Sequence, residues 1–84
     1  MFLHVTAVRN VSAFELHLEF SDGVVKSVDL RNELFGEVFE PLKNPEYFER
    51  VALNSETGTI EWPNGADLAP EYLYEIGQVI KQVA

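Results

Sequence analysis

The sequence predicts an α+β domain: a small antiparallel sheet, a three-stranded meander plus a hairpin, with short helical turns and a C-terminal helix packed on it. Three observations predict it. Phe14, Leu16, Leu18 and Phe20 alternate with Glu15, His17 and Glu19, the period of two that marks a strand with one buried and one wet face. Between Arg31 and Arg50 the apolar spacing changes to three and four, with Leu34, Phe35, Val38, Phe39, Leu42, Tyr47 and Phe48 in the pattern. Finally, Leu73, Ile76, Ile80 and Val83 lie on one helical stripe, widened by Tyr72 and Val79 and faced by Glu71, Glu75, Gln78 and Gln82.

Taken in order, residues 2 to 9 alternate less cleanly and form the first strand before the clear one at 14 to 20. Asp22-Gly23 then leads into Val24 to Leu30. Asp-Gly between two strand patterns reads as a two-residue primed turn with Gly23 at positive φ, where a residue without Cβ carries no steric penalty. Gly36, Pro41 and Pro45 interrupt the next segment, so brief helical turns replace one long helix. Val51 to Leu53 and Thr59 to Trp62 read as a second hairpin joined at Asn54 to Gly58. Trp62 ends that strand, Pro63 cannot continue its ladder, and Asn64-Gly65 turns the chain toward the last helix. Trp62 shares a side with Ile60, so its ring is expected against the terminal helix near Tyr72 or Leu73, its N–H on a backbone carbonyl or water. That helix is expected over 70 to 83, with Pro70 at its first position and Lys81 suiting the negative end of its dipole. Ala69, at the N-cap, has no acceptor for the orphan N–H groups, which leaves Asp67 as the substitute.

The 84 residues form one domain, 1 to 84, of a size that buries about 60 to 65% of its unfolded surface. With 46% apolar and 12% aromatic residues there is material for a core, which excludes disorder. The net charge of −8, with no Lys or Arg between Arg50 and Lys81, opposes direct nucleic-acid binding, which draws on cations at phosphates, and suits a basic partner. The absence of cysteine removes disulfides, thiol catalysis and thiolate metal sites and fits a reducing compartment, so a cytoplasmic location is expected. No segment resembles an export signal, and none approaches the roughly 20 apolar residues of a membrane span.

No spacing of residues names a reaction, so neither catalytic residues nor a cofactor or metal is expected. His17 falls between two glutamates on the wet face of a strand, where a solvated histidine is ordinary, and His4 has no companion set of ligands. Asp22, Asp29 and Asp67 could converge as an acidic cluster, but each also has a local structural role. Asp22 forms a turn, Asp29 receives backbone donors at a strand end, and Asp67 precedes the helix. Trp62, Asn64, Gly65, Asp67 and Tyr74 are the candidate partner-contact residues, a tryptophan beside a shaped turn being good contact material.

Beyond these local readings, Phe20-Ser21-Asp22-Gly23, Val28-Asp29-Leu30, Gly36, the run Val38 to Lys43, Pro45 with Phe48, and Ile60 to Leu68 with Pro70, Leu73 and Tyr74 resemble the bacterial domain of unknown function family 2442. The resemblance covers nearly the whole chain. It implies a compact α+β domain and supplies no catalytic residues. Similar chains usually carry a polar residue at the place of Ala69. Some of them add a helix-turn-helix domain, and their genes often neighbour another small gene in a toxin–antitoxin-like arrangement, which implies a protein partner. The function expected is a non-enzymatic protein-interaction module, antitoxin-like or regulatory, and a homo-oligomer is compatible with it. The alternatives are a small-molecule-sensing domain, requiring a pocket lined by Trp62, Tyr72 and Phe48, and a carboxylate-based enzyme or accessory subunit using Asp22, Asp29 and Asp67.

Overall fold

The structure, a computed structural model, describes residues 2 to 82. Strands β1 (Val5–Ser12), β2 (Glu15–Phe20) and β3 (Val24–Asp29) form the expected antiparallel meander. A 3-10 helix (Glu37–Lys43) and a short helix α1 (Pro45–Phe48) follow. The hairpin of β4 (Ala52–Asn54) and β5 (Thr59–Glu61) makes a second sheet, and α2 (Pro70–Ile76) leads into β6 (Gln78–Gln82). The order in the main sheet is β1-β2-β3-β6, all antiparallel.

Leu16, Leu18 and Phe20 of β2 are buried together with Val28, Leu30, Leu42, Phe48, Ile60, Trp62 and Leu73, so both sheets and both helices share one core. The untidy alternation at the start of the chain has a cause. The β1–β2 register shifts between Val5 and Ala7 and again between Asn10 and Ser12, and each extra residue breaks the period of two. Val5 N–H donates to the Gly58 carbonyl at 2.8 Å, tying β1 to the turn of the second sheet.

The β2–β3 turn differs from the primed type expected. Gly23 has the expected positive φ, 87°, but among the described residues none other than glycine has positive φ, which rules out a type I′ turn over Asp22-Gly23. Gly23 N–H instead bonds the Phe20 carbonyl at 2.9 Å, and the three-residue loop Ser21 to Gly23 is a turn closed by a left-handed glycine, held by Asp22 accepting from Val24 N–H at 3.0 Å. Short helical turns replace one long helix, as expected, but the break falls at Asn44 rather than at Pro41, which lies inside the 3-10 helix: Asn44 closes that helix and caps α1 by accepting from Glu46 N–H at 3.0 Å.

The larger correction is at the C-terminus. The helix expected over 70 to 83 ends at Ile76, and residues 78 to 82 form a strand on the edge of β3; Val83 lies outside the described residues. Lys81 therefore serves no helix dipole, and Val79 and Ile80 stand 57% and 50% exposed. The switch occurs at Gly77, which is extended at φ −77° and ψ 156°. A Cβ on Gly77 would lie 2.9 Å from a Val28 methyl and 3.0 Å from Lys26 Cβ, so the chain passes too close to β3 for a larger residue. A longer helix would leave the backbone of β3 unpaired beside the buried Lys26, and β6 satisfies it instead. The irregular register of β6 and Lys81 blunt the new edge against further pairing.

The start of α2 lies where expected, but without the substitute cap expected from Asp67. Pro70 occupies the first turn and Ala69, at φ −64° and ψ 141°, makes no side-chain capping bond; among the described residues Asp67 does not replace it. Ala69→Ser is expected to stabilise the domain by about 0.5 to 1 kcal/mol. Thermal melts of the two proteins check this, and an unchanged midpoint would mean that these N–H groups are already satisfied.

Candidate functional site

The corner from Trp62 to Leu68 is a tight loop. Gly65 N–H donates to the Trp62 carbonyl and Trp62 N–H to the Ala66 carbonyl, each at 2.9 Å, and Glu61 bridges Asp67 beyond them. Trp62 is 1% exposed. Its Nε1–H donates to the Phe48 carbonyl at 2.9 Å, and its ring tilts against Phe48 with centroids 5.5 Å apart. The expected buried indole with a backbone acceptor is present, but its aromatic neighbour comes from α1 rather than from Tyr72 of the terminal helix. Trp62 is therefore a core side chain, whereas Asn64, Gly65 and Asp67 are exposed. Asn64 caps its own loop by accepting from Ala66 N–H at 3.1 Å, and its amide donates to the Val38 carbonyl at 2.8 Å.

Asp22, Asp29 and Asp67 do not converge. Asp22 precedes β3 and Asp29 ends it, so a strand separates them, and Asp67 belongs to the second sheet. Asp29 accepts from Arg31 N–H at 2.9 Å, the strand-end bond its position implied. Among the described residues no three His, Asp or Glu side chains are placed to hold a metal. What Asp22 does meet is Tyr74, whose hydroxyl donates to it at 2.7 Å, while the buried Lys26 places its Nζ 3.6 Å from the Tyr74 ring centroid and donates to the Tyr74 carbonyl.

This pair carries a pH signature. The Tyr74 hydroxyl, and then the Val24 N–H, hold the Asp22 carboxyl below its ordinary pKa, and the bond to Asp22 with some burial pushes the Tyr74 hydroxyl up. The bond needs an ionised acid and a neutral phenol. Its contribution is present above the unfolded-state carboxyl value of about 4 and is lost as pH falls through the lower folded one. On the alkaline side it is complete below about 10 and is lost as pH rises through the raised phenol value. Tyr74→Phe is expected to flatten both limbs of the melting-temperature profile against pH. Part of the acid limb should remain, because Glu15, lowered chiefly by its bond to Ser27, also loses stabilising contacts on protonation. Parallel profiles for the two proteins would refute the assignment.

An exposed ridge was not legible in the sequence. The segment Glu33 to Val38 presents Phe35, 76% exposed, and Val38, 44% exposed, while Leu34, between Glu33 and Phe35, is buried. At one end Glu33 accepts a bond from the hydroxyl of Tyr72, itself partly exposed on α2, and at the other the Val38 carbonyl holds Asn64. The ridge thus runs from Tyr72 through Phe35 and Val38 to the Asn64-Gly65 tip. The bond to Glu33, then burial, push the Tyr72 hydroxyl pKa up, and the Glu33 and Glu75 charges add to the shift. The apolar spacing of the sequence groups Phe35 and Val38 with Leu34 and Leu42 in one helical pattern. The overlooked signal is Leu34-Phe35 side by side before Gly36, since neighbours on such a short turn cannot both face inward.

Residues 5–78 match the family model described as Protein of unknown function (DUF2442). The chain belongs to this family. The DUF2442 match runs from β1 to the first residue of β6 and takes in the loop at Trp62 and the whole ridge. No curated protein matches the chain, and no solved structure does.

In this DUF2442 domain Trp62, Phe48 and Tyr72 do not line a common pocket: two are core residues, and the third is bound to Glu33 at the surface. Beside the Trp62 loop lies an open hollow of about 280 Å³, walled by Arg50, Ala52, Glu61, Trp62, Pro63 and Gly65. His17 sits on the outer face of the sheet, its Nε2 3.4 Å from Glu15, and the His4 ring lies beside the Phe2 carbonyl. No helix of the described chain is long and apolar enough to cross a membrane.

Proposed function

We propose that this DUF2442 domain is a non-enzymatic protein-binding module of the bacterial cytoplasm, and that its contact surface is the ridge of Tyr72, Phe35 and Val38 with the Asn64-Gly65 tip. One observation carries the reading: apolar and aromatic side chains stand in water along a segment anchored at both ends. Scattered single exposed apolar residues are ordinary, but a segment that carries two of them and is tied by hydrogen bonds to α2 and to the Asn64 loop is held as a surface. Pre-set side chains lose little freedom on docking, and aromatic groups supply most of the energy at contact centres. The paired arrangement implied by the family resemblance, antitoxin-like or regulatory, would use such a surface.

The test is affinity capture from the cells that make the protein, with the wild-type chain and a Phe35→Ser, Val38→Ser double variant side by side. A protein retained by the first and lost by the second, with melting temperatures equal, is the expected result. Equal retention by both would refute the ridge as the contact surface.

A further inference from the structure

We infer that the ridge receives a cationic amphipathic segment of another protein, one carrying Lys or Arg on either side of an aliphatic or aromatic side chain. The inference rests on the protein-binding role proposed above and names the chemistry of the partner. Its basis is charge complementarity around an apolar centre. Glu33 and Glu37 lie in the ridge segment itself, and Glu71 and Glu75 flank Tyr72 on α2. No Lys or Arg occurs between Arg31 and Lys43 or between Arg50 and Lys81, so neither the ridge segment nor α2 contains a neutralising cation. Of the basic residues that flank these segments in the sequence, Lys43 pairs with Glu40 at 2.6 Å, while Arg31 lies over the Phe14 ring, Arg50 over the Tyr47 ring and Lys26 beneath Tyr74; Lys81 follows on β6. An acidic partner would meet uncompensated carboxylates, and a neutral apolar one would leave them beside a dry contact without a counter-charge. A second copy of this chain, at −8, would bring acid to acid. The division of labour follows: Phe35 and Val38 supply contact area, while the glutamates speed encounter and select the sign of the partner, an effect that salt screens.

The experiment uses the full chain and three synthetic peptides in titrations at low and high ionic strength. One is an amphipathic Lys–Leu peptide, the second has each Lys replaced by Glu, and the third has each Leu replaced by Ser. The Lys–Leu peptide should bind, the other two about tenfold or more weaker, and its binding should weaken as salt rises. Glu37→Gln with Glu75→Gln should weaken it several-fold. Glu46→Gln with Glu49→Gln, the same charge change on and just after α1, should leave it within about twofold. Equal loss from the two pairs, no binding of the Lys–Leu peptide, or binding indifferent to peptide charge would overturn the inference. Should cellular capture still depend on Phe35 and Val38 in that event, the protein-binding role stands and the cationic partner falls. Should Phe35→Ser with Val38→Ser alter neither measurement, both fall.

Discussion

Trp62→Ala is expected to cost about 3 to 5 kcal/mol and to leave the domain unfolded or barely folded near room temperature. The indole is one of the largest wholly buried side chains and meets Phe48, which in turn meets Phe14 edge-on, so one truncation opens a cavity where α1, the second sheet and β2's neighbouring loop come together. A domain of this size has a total stability of roughly 4 to 12 kcal/mol, so the loss is a large share of it. Trp62→Phe separates volume from hydrogen bonding. It should cost less, because the Phe48 carbonyl also accepts from Val51 N–H at 3.2 Å and is not left without a donor. Urea titrations of both variants check this. A Trp62→Ala protein that melts normally but loses its partner would overturn the core assignment and return the tryptophan to the contact surface.

Gly58→Ala is expected to cost about 2 to 4 kcal/mol, well beyond the roughly 1 kcal/mol expected of Gly65→Ala. Both glycines have left-handed backbones, at φ 74° and 89°, so a Cβ strains each of them. They differ in surroundings. A Cβ on Gly65 meets nothing within 4 Å, whereas one on Gly58 would stand 2.7 Å from Cβ of His4. The segment carrying His4 cannot retreat freely, because the next residue, Val5, is bonded to the Gly58 carbonyl and begins β1. Relief of the clash therefore pulls the second sheet away from the first. Thermal melts of the two variants give the difference directly, and equal losses would show that the contact between the sheets yields without cost.

The sequence by itself determined those features whose causes are local. The alternation at Phe14 to Phe20 places one face of β2 in the core wherever the sheet lies, since successive side chains point to opposite sides. Pro41 and Pro45 lack backbone donors, so no single long helix forms: Pro41 lies within a 3-10 helix that ends at Lys43, and Pro45 opens α1; Ala69 leaves α2 uncapped because it has no side-chain acceptor. Asp22 and Asp29 take the turn and strand-end bonds their positions imply. The tertiary structure alone decided what depends on distant neighbours. A helical stripe through Ile76 and Ile80 was a sound local pattern, yet the open edge of β3 needed hydrogen-bond partners, and Gly77 was the one residue there small enough to pass beside Val28. The indole of Trp62 found Phe48, fourteen residues earlier, because the tertiary fold sets the end of α1 against the loop that follows β5. Phe35 was left in water because the buried Leu34 had already taken the core side of a turn too short to bury both. Periodicity states which residues share a face; the pairing of remote backbone groups and the room left in the core state which face is covered.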